Sequence, residues 1–260
     1  MIQVIERFHK IIEYVAREPE KARTMTELAG VLEVSAPACA NIVKTMVHLG
    51  YLEKAATGRG YVLGGTPYFL TRKGPYKKYL SDIARPIMER LAQDINELIV
   101  LVTESGGRRV ELLKFESDSL IQVKPRNAES IISLFRCATG VLILAHKPED
   151  EFRTLWNTRK DEIDDYFHAT DYDESRKRCA EIVAKGYYLS EPHESANISL
   201  ADSSATMGFP VFEDGRVVAS VGCRVPIFRF TAERREHILA ACAQAARQIS
   251  QAIASRQNHV

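Results

Sequence analysis

The sequence predicts an α+β protein in two parts: a winged helix-turn-helix at 1–65 and a larger mixed domain at 81–260, with 66–80 as a linker. Three observations carry this. Residues 24–63 read as two short helices joined by a tight turn and followed by a hairpin. After residue 97, strand-like runs are bracketed by helical patterns. The formal charge is also divided: residues 1–80 hold twelve Lys and Arg against seven Glu and no Asp, a net +5, whereas residues 81–260 hold 23 against 27, a net −4. A basic front part beside an acidic remainder suits one part that meets phosphate and one that does not.

Taken in order, Val4, Ile5, Phe8, Ile11, Ile12 and Val15 recur at helical spacing and predict an amphipathic helix over 2–17, ended by Glu18-Pro19. Thr24 followed by Glu27 is a capping box. Leu28, Val31 and Leu32 give the short helix behind it one apolar face. Ser35 is placed to cap a second helix with Pro37 in its first turn, Cys39, Ile42, Val43, Met46 and Leu49 form its inner face, and Gly50 stops it. Residues 51–54 and 60–63 then form a small hairpin, or wing, around a loop holding Gly58-Arg59-Gly60. Gly64-Gly65-Thr66-Pro67 breaks regular structure.

From Tyr79 to Asp94 a second amphipathic helix is expected, with Pro86 marking either a kink or a fresh start. Strands are expected at 98–103, 110–115, 120–123, 207–213 and 217–225. Helices are expected at 138–145, 149–156, 174–185 and 232–255. No run is apolar enough to span a membrane and no signal-peptide core is present, so a cytoplasmic protein is expected. The five scattered cysteines form no C-x-x-C pair and read as buried, reduced thiols.

The chain resembles the IclR (isocitrate lyase regulator) family of bacterial transcription factors over nearly its whole length. The residues that carry this are Leu49-Gly50-Tyr51-Leu52 after the helix-turn-helix, Ala84-Arg85-Pro86-Ile87 with Leu91-Ala92, and Ala138-Thr139-Gly140 ahead of Leu144-Ala145. Lys185-Gly186-Tyr187 and Phe209-Pro210-Val211-Phe212 complete the set. The resemblance implies a C-terminal GAF-like domain that binds a small effector, and a homodimer or a tetramer built as a dimer of dimers. It places the effector among Ile132, Arg136, Ala138, Thr139, Ser204, Thr206, Gly222 and Arg224. Arginine forks suit carboxylates, so a small organic acid is expected. Where the family usually has Lys, Ser, Thr and then Arg at the start of the recognition helix, this chain has Ala36, Pro37, Ala38 and Asn41.

The expected DNA-facing set is Ser35, Ala36, Pro37, Ala38, Ala40, Asn41, Lys44 and Thr45 on the second helix, with Lys54 and Arg59 on the wing. Asn pairs bidentately with adenine and small apolar side chains meet thymine methyls, which predicts an A·T-containing half-site in duplex DNA. Lys44 and Lys54 suit phosphates, and Arg59 suits a narrow minor groove. Two rivals stand beside this regulator, a repressor by expectation. One is a ligand sensor whose alanine-rich helix has lost DNA binding. The other is an enzyme, against which the chain lacks G-x-S-x-G, H-E-x-x-H and P-loop motifs. The seven histidines show no ligand spacing, so neither metal nor cofactor is expected.

Overall fold

Three helices pack around one small core: α1 (Gln3–Ala16), α2 (Met25–Leu32) and α3 (Ala36–His48). Ile11 and Val15 of α1 meet Leu28 and Leu32 of α2 and Cys39, Val43 and Met46 of α3, with Leu52 beneath. The α2 capping box is formed: Thr24 N donates to Glu27 Oε2 at 2.7 Å, and Glu27 N donates to Thr24 Oγ1 at 3.3 Å. Glu33 ends α2 in the left-handed region (φ 54°), which lets α3 start three residues later. Ser35 stands at the α3 cap, but its side chain makes no capping bond, contrary to expectation. Pro37, at the second helical position, lacks one of the two amides a cap hydroxyl normally takes. The wing is β1 (Leu52–Lys54) paired antiparallel with β2 (Tyr61–Leu63). The computed structural model describes residues 2–56, 58–72, 74, 76–119, 131–159, 167, 169, 171–191 and 204–257.

Contacts divide the chain into two units, Met1–Pro75 and Tyr76–Val260. The segment read as a break and linker carries a helix, α4 (Gly65–Thr71). Pro67 falls in its first turn, where no helical amide is needed, and Thr66 Oγ1 donates to Leu49 O at 2.8 Å. No residue of α4 is buried.

In the second unit α5 (Lys78–Ile95) runs through Pro86 as one helix, so Pro86 marks no new start. It is followed by β3 (Leu98–Ser105), β4 (Arg108–Phe115) and β5 (Ile131–Ser133). Next come α6 (Ala138–Ala145), α7 (Glu149–Arg159), α8 (Tyr172–Lys185), β6 (Tyr188–Ser190), β7 (Ser204–Glu213), β8 (Arg216–Pro226) and α9 (Ala232–Gln257). The strands form one antiparallel sheet in the order β5-β4-β3-β8-β7-β6. The expected strand at 120–123 lies outside the described residues. The outer strands β5 and β6 were not anticipated, because three residues are too few to show a period of two.

Alternation assigns the sheet faces. Ile99, Leu101, Met207, Phe209, Val221 and Cys223 point to a core shared with α5 and α9. The other face is covered by α6, with the aromatic cluster of Phe135, Phe152, Trp156 and Phe167. Four of the five thiols (Cys39, Cys179, Cys223 and Cys242) are buried as expected. Cys137 is only half-buried, because it caps α6: its Sγ accepts from Gly140 N at 3.3 Å.

One buried charge closes the unit. Glu97, 1 % exposed, accepts from Arg229 Nε at 2.9 Å and Nη2 at 2.6 Å, and lies 3.3 Å from Arg234 Nη2. Arg234 also donates to Ile95 O at 2.9 Å, tying the end of α5 to the start of α9. Glu97→Ala removes the buried carboxylate that both arginines share and is expected to cost roughly 3 kcal/mol, read as a lowered urea midpoint.

Candidate nucleic-acid interface and effector site

The α3 face is set by helical periodicity. Cys39, Val43 and Met46 turn inward, leaving Ser35, Ala36, Pro37, Ala38, Asn41, Lys44 and Thr45 exposed; Ala40 is half-buried at the margin. The helix carries no carboxylate, so nothing on it repels a phosphate backbone. The Thr45 hydroxyl donates to Asn41 O at 3.0 Å and is thereby engaged within the helix. Lys54 and Arg59 are exposed on the wing. The expected DNA set therefore lies on exposed or marginal surface of one unit.

In the second unit, the effector residues named from the sequence fall on three pieces of structure. Ile132 is on β5, where it pairs with Arg109 of β4. Arg136 is exposed on the 3-10 turn Leu134–Arg136 that leads into α6. Ala138 and Thr139 are buried in the first turn of α6, and Ser204, Thr206, Gly222 and Arg224 are on β7 and β8. The sheet register places Gly208 opposite Gly222 and Thr206 opposite Arg224.

Two glycines decide how closely α6 meets the sheet. A Cβ on Gly222 would fall 2.4 Å from Thr139 Cγ2 and 2.9 Å from Val100 Cγ2. A Cβ on Gly208 would fall 3.1 Å from Ala138 O and from Thr139 Cα. The helix start thus rests on bare backbone, and the Thr139 methyl fills the place of a side chain at Gly222. One rung along the same face lie half-buried Arg224 and buried Thr206. Thr206 Oγ1 has no hydrogen-bond partner among the described residues. A buried hydroxyl of this kind, on a residue paired across the ladder with an arginine, is suited to a ligand oxygen. Sequence reasoning overlooked Gly208, although a glycine within a strand is itself a sign of close backbone approach.

The far end of α6 is held by charge. Lys147 Nζ donates to Glu104 Oε2 at 2.9 Å and to Glu151 Oε2 at 2.8 Å, while Gly107 N donates to Glu104 Oε1 at 2.7 Å. Burial acts to raise the Glu104 carboxyl, but the Gly107 amide and the Lys147 ammonium outweigh it and hold it below its ordinary value. Burial acts to lower the Lys147 ammonium, and its two carboxylate partners outweigh that and raise it. Among the described residues no group of three or more His, Cys, Asp and Glu could hold a metal ion, and no helix is long and apolar enough to cross a membrane.

A depressed carboxyl contributes stability above its ordinary value, and that contribution is lost as pH falls through the folded value. A raised ammonium contributes below its ordinary value and loses that contribution as pH climbs through the folded one. Lys147→Met should therefore lower the urea midpoint by a constant amount between the ordinary values of 4.5 and 10.5, with the gap to the unsubstituted protein closing outside them.

Residues 77–251 match the family model described as the bacterial transcriptional regulator IclR C-terminal domain. The chain is 25 % identical over 236 residues to the HTH-type transcriptional regulator KipR of Bacillus subtilis (strain 168), covering 88 % of this chain and 89 % of that one. Among solved structures, it is similar to an IclR homolog from Microbacterium hydrocarbonoxydans complexed with 4-hydroxybenzoate. That similarity has a TM-score of 0.72 at 18 % identity and covers 97 % of this chain and 99 % of the other. An IclR regulator from Alicyclobacillus acidocaldarius superposes with a TM-score of 0.68 at 19 % identity, with coverage of 97 % and 99 %. At these identities the structural likenesses speak for the fold.

Proposed function

We propose, because this chain belongs to the IclR family of bacterial transcriptional regulators, a specific division of labour for a DNA-binding regulator controlled by a small-molecule effector. Residues 1–65 read DNA, 66–80 join the parts, and 81–260 hold the effector. The protein acts in the cytoplasm as a non-enzymatic repressor, and as a homodimer or tetramer that presents two recognition helices to two half-sites. The observation that carries the DNA part is the exposed, carboxylate-free face of α3 with Asn41 at its middle. Asn41 reads adenine in an A·T-containing half-site, and Ala36, Ala38 and Ala40 meet thymine methyls. Ser35, Pro37 and Thr45 border that contact. Lys44 and Lys54 meet phosphates, and Arg59 enters the minor groove.

The effector is a small organic acid. Arg224 and Arg136 supply positive charge, Thr206 and Ser204 supply hydroxyls, and Ile132, Ala138, Thr139 and Gly222 supply the walls. What supports this reading is the buried Thr206 hydroxyl, without a partner among the described residues, on the residue paired with Arg224 in the β7–β8 ladder. The relative solved with 4-hydroxybenzoate is itself bound to an acid.

Two measurements test the proposal. On a duplex taken from the DNA upstream of its own gene, Asn41→Ala should weaken binding by ~1–3 kcal/mol at a single base position. An equal loss on every duplex would refute base reading. In calorimetric titration with a panel of small acids and neutral analogues, binding is expected only among the acids and should fall at least tenfold in Arg224→Gln. Neutral ligands binding while every acid fails would refute the effector class. Loss of DNA binding by the unsubstituted protein on any duplex would favour the sensor rival.

A further inference from the structure

We infer that Arg23 is a positioning residue for the wing: it holds β2 against the body of the first unit and so sets where Arg59 stands. This rests on the proposed role of Arg59 at DNA.

Wings of this size do not hold themselves. Strands β1 and β2 have three residues each, and an isolated two-stranded hairpin is at best marginally stable in water. The wing gains a third backbone segment at residue 23, which precedes α2. Arg23 N donates to Tyr61 O at 2.8 Å, and Tyr61 N donates to Arg23 O at 2.8 Å, an antiparallel bridge on the side of β2 away from β1. Tyr61 is thus flanked by Lys54 on one side and Arg23 on the other. Arg59 lies two residues before this pair of hydrogen bonds. The intervening Gly60 has φ +92°, and a Cβ there would fall 2.8 Å from Arg23 O, so the chain leaving the wing loop lies directly on this backbone.

What keeps residue 23 in place is its own side chain. Arg23 is 4 % exposed although charged. Its Nη2 donates to Glu18, its Nη1 donates to Tyr14 OH at 3.5 Å, and its guanidinium lies 4.5 Å from the centroid of the Tyr14 ring. Tyr14 belongs to α1 and Glu18 to the turn after it, so one side chain joins the scaffold helix to the backbone that pairs with β2. Nearby Lys21 lies 3.3 Å from Glu18 and shares its carboxylate. Burying a guanidinium whose Nε has no partner among the described residues is an expensive way to gain stability. It is an effective way to fix one backbone position.

The test is a double-mutant cycle on the full-length protein, reading affinity for the upstream duplex at low salt, with thermal unfolding alongside. Arg23→Ala and Arg59→Ala should each weaken binding about tenfold, and the double variant should bind no worse than either alone. Gly60→Ala, which crowds the same bridge without touching the Arg23 side chain, should reproduce the loss and also add nothing to Arg59→Ala. If the Arg23→Ala and Arg59→Ala losses multiply, Arg23 acts through general stability and the inference is overturned. If Arg59→Ala alone has no effect, the proposed wing contact fails, and the inference with it. If Arg23→Ala does not fold, the Gly60→Ala cycle decides between the same outcomes.

Discussion

The effector-binding domain depends on the seating of α6 against β7 and β8. A helix lying on a sheet ordinarily keeps its backbone a side chain away. Here Gly208 and Gly222, opposite each other in the ladder, remove that layer, and Ala138 and Thr139 come down onto the strands. Gly140 extends the same constraint upward, because a Cβ there would lie 2.4 Å from Leu134 O. The helix is therefore fixed from below and above at its first turn, and by Lys147 and Glu104 at the other end. A side chain added at Gly208 or Gly222 would push the helix start off the sheet, and one at Gly140 would push it away from Leu134.

The two units are built to different standards. The sheet unit has a two-sided core and a buried carboxylate with two guanidinium partners. The front unit has one small cluster of buried side chains and relies on local devices: the Thr24–Glu27 box, left-handed Glu33 and Gly50, and the Arg23 bridge to the wing. Small units commonly lean on such caps and turns, because their apolar interior is limited.

Most of the element order was legible in the sequence, because long amphipathic patterns and caps are local signals. The α6 limits, 138–145, were read from an apolar run closed by Lys147-Pro148. The family resemblance gave the GAF-like character of the rear domain, and the matched residues 77–251 agree with it. What was not legible depends on partners distant in sequence. Helix α4 was hidden by Gly64-Gly65 and Pro67, which read as breakers unless the proline is known to lie in a first turn. Ser35 looked like a cap, and only the position of Pro37 in the helix shows why its hydroxyl goes unused. The Thr206–Arg224 rung and the Gly208–Gly222 contact exist only once the β7–β8 register is set. Arg23, in sequence an ordinary surface charge between two helices, is buried because a strand 38 residues later returns to its backbone.

The interior thiols have a chemical consequence. Burial pushes Cys179 up to about 11 and raises Cys39, while the hydrogen bond with Cys242, followed by burial, raises Cys223 well above the ordinary thiol range. Oxidants and alkylating agents react with the thiolate, and near neutral pH these sulfurs almost never adopt that form. Alkylating agents and peroxide should therefore react slowly at Cys39, Cys179 and Cys223, and the side chains packed around these sulfurs keep their places when exposed thiols are modified.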